Sequence, residues 1–336
     1  TVPICVMGNY SSGKSTFINA LIGQEVLPSG DMPVTAKIYK ITQSKEDGKA
    51  SIALKYNDKP VTLEFNEDSI EVQKEEDSAF VSSIIECLEE NKDQAFMYKV
   101  HCCLDAINNE RTGVDDLIEV LIPFGKGLLK DSDKSFVIFD TPGSNAATNK
   151  DHFMILEEAM KDMSNGIPIY VAEYNSLDSC DNEYLYKRIK GISQVDSRFT
   201  MIVVNKADSA NIKEDNFDDE TRELILKQAV PRNLYSGGIF FVSSVMGLGS
   251  KNGGDFNDDH ADEFFEDNER KYSDETSKRY KSLYKYNIMP KQIKKSIVEV
   301  SEQSNDKIFA NSGLLAVEHE IISFSEKYSA YDKCKQ

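Results

Sequence analysis

Gly8-Asn9-Tyr10-Ser11-Ser12-Gly13-Lys14-Ser15 sets two glycines with four residues between them, then a lysine and a hydroxyl. That spacing, G-x-x-x-x-G-K-[ST], lets successive backbone N–H groups converge on phosphate oxygens, and a helix beginning there adds its positive end. The backbone and side chains of Asn9, Ser12, Gly13, Lys14, Ser15 and Thr16 are therefore candidate nucleotide contacts. Lys14 has the reach for β- and γ-phosphates, and the Ser15 hydroxyl is a candidate ligand for Mg²⁺.

Three further signals follow in chain order. Asp140-Thr141-Pro142-Gly143 closes the apolar run Phe136-Val137-Ile138-Phe139. An aspartate at such a strand end can hold Mg²⁺ through water, and the Gly143 N–H can sense a γ-phosphate. Asn205-Lys206-Ala207-Asp208 closes Met201-Ile202-Val203-Val204. Guanine offers N1–H and an N2 amine where adenine offers neither, so the Asp208 carboxylate accepting both would discriminate strongly between the bases. Lys206 is expected over the base, and Asn205 is expected to brace the phosphate loop. Ser243-Ser244 ends the strand candidate Gly238–Val242 and is expected to bring a backbone N–H to the base O6. Read together, the four signals describe a guanine nucleotide site at the carboxyl ends of a mostly parallel sheet.

The elements that must position these residues are legible around them. Val2–Met7 is an apolar strand pattern, Thr16–Leu21 is a helix stopped by Gly23, and Ser51–Tyr56 with Val61–Phe65 alternate around Asn57-Asp58 as a hairpin should. Phe80, Val81, Ile84, Ile85 and Leu88 form one helical stripe, and Leu314–Val317 through Ile321, Ile322, Phe324 and Tyr328 form another. Asp255, Asn257, Asp259 and Glu266 have the spacing of a calcium loop, but His260 stands where that loop needs glycine. A solvated acidic loop leading into a helix is the preferred reading.

Composition sets the class. The 336 residues are 40% hydrophobic, enough for a real core, and the formal charge is −18. Such acidity argues against non-specific attraction to nucleic acid or anionic lipid. No apolar run nears the ~20 residues that span a bilayer and no secretory leader is visible, so a cytoplasmic chain is expected. Six cysteines (Cys5, Cys87, Cys102, Cys103, Cys180, Cys334) contain no C-x-x-C pair, so reduced, mostly buried thiols are expected. The four histidines are scattered.

The stretch GNYSSGKSTFINALIGQEVLPSGDMPVTAKI resembles the dynamin superfamily, bacterial dynamin-like proteins in particular, and the likeness extends to IEVLIPFGKGLLKDSDKSFVIFDTPGSN and over most of residues 2 to 250. The resemblance implies an α/β P-loop GTPase domain. Its mostly parallel central sheet would carry an antiparallel edge strand and helices on both faces. It implies that Thr35, following Pro33, belongs to a first switch loop, where it helps hold Mg²⁺ and the attacking water. It implies an antiparallel strand pair ahead of Asp140. Roughly a hundred positions separate Thr35 from Asp140, matching the enlargement of such domains here. A G domain is thus expected over 1–260, with an insert at about 45–115, and a helical part over 261–336 leading to an absent stalk. The start on Thr1 and the unbroken helical pattern to Gln336 are read as the ends of a fragment.

Small signalling GTPases place a water-orienting glutamine where this chain has Ser144. The resemblance implies instead a P-loop serine, Ser11, acting with a monovalent cation (K⁺ or Na⁺). Tyr10 departs from the glutamine of animal dynamins at its position. Ser11, Lys14, Thr35 and Gly143 are the candidate catalytic residues, and Ser15, Thr35 and Asp140 are the candidate metal ligands. The expected activity is GTP hydrolysis with nucleotide-dependent pairing of G domains into a homodimer. Membrane remodelling is expected through regions outside this chain, at the inner face of a membrane, with no nucleic-acid partner. The alternatives are a regulatory GTP switch for a protein or RNA partner, and a GTP-binding module without hydrolysis.

Overall fold

The computed structural model describes residues 1–9, 11–28, 37–67, 69–74, 78–110, 112–141, 150–159, 166–176, 200–210 and 238–335, with the side chains of 150–153 and 328–335 excepted. Tyr10, Pro33, Thr35, Pro142, Gly143, Ser144 and Cys180 lie outside the described residues.

Ten strands among the described residues form one sheet. In chain order these are β1 (Val2–Gly8), β2 (Ile38–Ser44), β3 (Lys49–Tyr56), β4 (Lys59–Asn66), β5 (Ile70–Lys74), β6 (Leu117–Pro123), β7 (Phe136–Asp140), β8 (Ile167–Glu173), β9 (Met201–Asn205) and β10 (Ile239–Phe241). Their spatial order is β10-β9-β8-β1-β7-β2-β6-β3-β4-β5. The run from β10 to β7 is parallel throughout. Its strands are near-continuous apolar runs because helices cover both faces. In β1, Ile4 and Val6 enter one core cluster while Cys5 and Met7 enter the other.

Beyond β7 the direction changes. β2 pairs antiparallel with β7 and parallel with β6, and β3, β4 and β5 follow as an antiparallel meander. β6 and β7 do run in opposite directions, but β2 lies between them, which corrects the expectation of a direct pair ahead of Asp140. A parallel β2–β6 pairing needs a long crossover, and the insert supplies it. The hairpin turn falls on Asn57 and Asp58, at φ 49° and 63°. Two successive left-handed residues make the turn whose twist suits a two-residue hairpin.

Among the described residues, α1 (Lys14–Ile22), α2 (Ala79–Glu90), α3 (Phe96–Asn109), α4 (Leu128–Asp131) and α5 (Lys150–Ala159) precede the end of the parallel run. After β10 come α6 (Ser244–Asn252), α7 (Asp259–Ser273), α8 (Lys291–Gln303), α9 (Lys307–Asn311) and α10 (Leu314–Lys335). Ser78 caps α2 by accepting from Val81 N at 3.1 Å. That helix turns Phe80, Val81, Ile84 and Leu88 inward against Val100, Leu104 and Ile107 of α3. The same face of the sheet takes α1 and α8 to α10, while Leu156 of α5 and Phe265 and Tyr272 of α7 cover the other. Residues after 260 thus contribute to both cores. Asp258 accepts from His260 N at 3.0 Å, so within the acidic segment it acts as the α7 cap.

Candidate nucleotide site

Parallel pairing brings the carboxyl ends of β1, β7, β8 and β9 to one edge. The register sets Val6 beside Asp140, Gly8 beside Val171, and Glu173 beside Asn205. The loop leaving β1 turns at once, with Ser12 donating to the Asn9 carbonyl from its amide at 3.3 Å and from its hydroxyl at 2.8 Å. Ser11 and Gly13 both sit at positive φ, 61° and 75°. At Gly13 a Cβ would come within 2.4 Å of the Asn205 amide nitrogen, so only glycine fits. Helix α1 starts at Lys14 without a side-chain cap and without an acidic residue in its first turn. The first-turn amides of Lys14, Ser15 and Thr16 are therefore the kind of donors an anion accepts.

Lys14 reaches across this loop to the Asp140 carboxylate. Burial pushes the Asp140 carboxyl up, and the Lys14 ammonium opposes that rise. A carboxylate so placed requires a positive partner. With the hydroxyl of Ser15, next to Lys14 in the chain, it would offer hard oxygen donors of the sort a small divalent cation such as Mg²⁺ takes. Thr141 folds back on β1, donating to the Val6 carbonyl from its hydroxyl at 3.0 Å.

Asn205 joins the two halves of the site. Its side-chain nitrogen donates to the carbonyls of Ser12 (3.0 Å) and Gly13 (3.3 Å). Its oxygen accepts from the Ser244 amide (3.2 Å) and hydroxyl (2.7 Å). Lys206 follows in the left-handed region at φ 55°; its stem passes the phosphate loop and its ammonium lies 3.3 Å from Glu173. Asp208 sits in the short 3-10 turn Ala207–Ser209.

Ser243 and Ser244 lie here, fully buried, but not as presented donors. The Ser243 amide donates to the Ser312 carbonyl at 2.9 Å and the Ser244 amide to Asn205. Both amides hold the segment between β10 and α6 in place.

Several supporting residues escape sequence reasoning. Asn19, inside α1, accepts from the amides of Val26 (3.0 Å) and Leu27 (2.8 Å) and donates to the Leu27 carbonyl. His101 of α3 contacts the Val26 carbonyl at 3.2 Å. Lys37, almost wholly buried, caps the end of α3 through the carbonyls of Ile107 and Glu110. These polar residues carry no local signal, since their partners lie up to 75 positions away.

The model of the Dynamin family matches residues 4–207, which spans β1 through the strand end at Asn205. Dynamin-like protein A of Bacillus subtilis (strain 168) is 27% identical over 272 residues, covering 72% of this chain and 22% of that protein. Two solved structures, described as an oligomerised bacterial dynamin pair in the long-range sensing and tethering of membranes, align over the whole chain and 47% and 44% of theirs. Their identities are 18% and 17% and their TM-scores 0.43 and 0.40. The chain thus spans under half the length of the relatives it matches. With the family model covering more than half of its residues and the phosphate loop at the head of the matched region, the chain belongs to the dynamin family.

Proposed function

We propose that this chain binds and hydrolyses GTP. The observation that carries the reading is the Asn205 bridge, which ties the carbonyls beneath the phosphate loop to the segment that begins α6, so that phosphate and base elements form one rigid unit. Lys14 and the first-turn amides of α1 would take the phosphate charge, and Asp208 would read the base. Ser15 and Asp140 would hold Mg²⁺, with Thr35 completing the set as the family resemblance implies. When bound, that ion supplies charge neutralisation between the phosphates.

On this reading Lys14 exchanges Asp140 for phosphate oxygens, and the Ser11 position faces the charge that develops as the γ-phosphoryl departs, with K⁺ or Na⁺ as the family resemblance implies. Membership of the family supports pairing of G domains and a link to membranes through other parts of a longer protein. Among the described residues no helix is long and apolar enough to cross a membrane.

Phosphate release from GTP and ATP, measured for the parent chain, Lys14→Ala and Asp208→Asn, tests the proposal. GTP turnover should greatly exceed ATP turnover, and Lys14→Ala should abolish triphosphate binding. Asp208→Asn should shift preference toward xanthosine triphosphate, because xanthine carries a carbonyl where guanine has its amine. An Asp208→Asn chain that keeps its full preference for GTP would refute the base assignment.

A further inference from the structure

Asp208 can read two donors on one base only if its carboxylate is held in place, and the turn that carries it is three residues long. Within that turn the ties are local. Ser209 donates to the Lys206 carbonyl from its amide (3.2 Å) and hydroxyl (2.6 Å), and the Ala210 amide donates to Ala207 (3.2 Å). The Ala207 amide reaches the Val242 carbonyl at 3.1 Å, which fixes the start of the turn. The carbonyls at its far end would be left for water, as at any helical terminus.

Lys281 takes them. Its ammonium donates to the Asp208 carbonyl and, at 3.2 Å, to that of Ala210. The cation comes from a fixed backbone, because the Lys281 amide donates to the Lys271 carbonyl at the end of α7 at 2.8 Å. Next to it, Asn311 pins the Tyr272 carbonyl (2.6 Å) and the Tyr280 hydroxyl (2.8 Å). Tyr272 itself is fully buried beside Ser243 and near Asp208. Lys281 stands there in spite of partial burial and of the neighbouring cations Lys271 and Arg279, all of which disfavour its charge, while Asp208 favours it. A residue held against three unfavourable influences by two carbonyls and one carboxylate is built around that loop.

We infer that Lys281 is a positioning residue for guanine selection: from the C-terminal third, it locks the turn so that both carboxylate oxygens of Asp208 meet the N1–H and N2 amine of guanine. The inference rests on the base reading proposed above and deepens it. Loosening the turn harms the two-point contact with guanine more than a one-point contact, since misplacement of an ångström can cost a large factor in a two-donor geometry. Inosine lacks the N2 amine and makes the one-point contact.

Calorimetric affinities for GDP, IDP and XDP, measured on the parent chain, Lys281→Met, Lys281→Arg and Asp208→Asn, test this. Lys281→Met keeps the apolar stem and removes the donors. It is expected to lose about tenfold in GDP affinity and only a few-fold in IDP affinity, compressing the GDP-over-IDP ratio, with Lys281→Arg restoring the ratio. If Lys281→Met does not yield folded protein, Lys281→Gln, with one donor left, is read in its place and should give a smaller compression. Equal losses for GDP and IDP, or an undisturbed ratio, would overturn the inference. The base reading is judged separately by the gain of XDP binding in Asp208→Asn.

Discussion

Lys251 of α6 and Glu318 of α10 form an ion pair with side-chain exposures of 1% and 0%. The pair joins five helices. The Lys251 ammonium also donates to the Ala20 carbonyl at 2.6 Å, near the end of the phosphate-loop helix, and lies 5.2 Å from the Phe309 ring centroid. Glu318 accepts from the Leu128 amide at 2.8 Å, at the start of α4. A Cβ on Gly127 would come within 2.7 Å of the ammonium and 3.0 Å of the carboxylate, so the chain passes there as glycine at φ 148°. Burial raises the Glu318 carboxyl and lowers the Lys251 ammonium, and each charge offsets the cost of the other.

Removing one partner should therefore cost more than removing both. Glu318→Leu or Lys251→Met is expected to destabilise the chain by about 3–5 kcal/mol, while the double variant Lys251→Met/Glu318→Leu costs less than either single change. Urea unfolding of the four chains gives the comparison. Strict additivity would mean that the two side chains act independently.

The Asn205 bridge makes a prediction about ligand affinity. Asn205→Ala leaves the buried Ser244 amide and the carbonyls under the phosphate loop without their partner, at about 1–3 kcal/mol for each such group. GDP affinity should fall by roughly ten- to a hundredfold on that basis. Asn205→Asp should be worse still, since it sets a carboxylate against two carbonyl oxygens. Titration calorimetry of both variants decides the matter, and parental affinity in Asn205→Ala would show that the loops hold themselves.

How much of this was legible depends on how local each cause is. The phosphate loop, the strand ends at Asp140 and Asn205, and the Asn57-Asp58 turn were readable because a few adjacent residues specify them through backbone conformation and apolar runs. The placement of β2 between β6 and β7 was not, because it depends on which strands the insert's crossover brings together. Ser243-Ser244 was read from order and spacing, yet its hydrogen bonds depend on Ser312 and Asn205, 69 and 39 residues from their partners in the sequence. Lys37, Lys251 and Lys281 read in isolation as surface cations. Only the fold shows that each ends on buried or half-buried carbonyl oxygens.

Lys37 gives a pH prediction. Burial, partly opposed by Glu110 and Asp116, lowers its ammonium from the ordinary 10.5 to about 8. Between those values the unfolded chain binds more protons than the folded one, so stability due to this residue rises as pH increases from about 8 toward 10 and is lost as pH falls back through 8. The neutral amine still donates to the carbonyls of α3. The unfolding free energy of the parent chain minus that of Lys37→Met should therefore increase between pH 7 and pH 9.5. A flat difference would place the titration of Lys37 outside that window.

Pairing of G domains is the last expectation, and it addresses how hydrolysis proceeds where Ser144 replaces a water-orienting glutamine. If two chains face each other across bound nucleotide, closure would order the loops around the γ-phosphate and exclude water, and turnover per molecule would rise with concentration. The chain alone or with GDP is expected to be monomeric, and GDP with a fluoride metal complex to drive a dimer, most readily in potassium or sodium buffer. A formal charge of −18 makes two copies repel, so moderate salt should strengthen association by screening that repulsion. Light scattering across nucleotide states, joined to specific GTPase rate against protein concentration, measures both effects. Ser11→Ala should slow turnover even in chains that still pair, because Ser11 stands at positive φ in the loop where the departing charge would develop. A monomer in every state with a concentration-independent rate would leave a simple nucleotide switch. Unaltered turnover in Ser11→Ala would remove the loop serine from catalysis while leaving pairing intact.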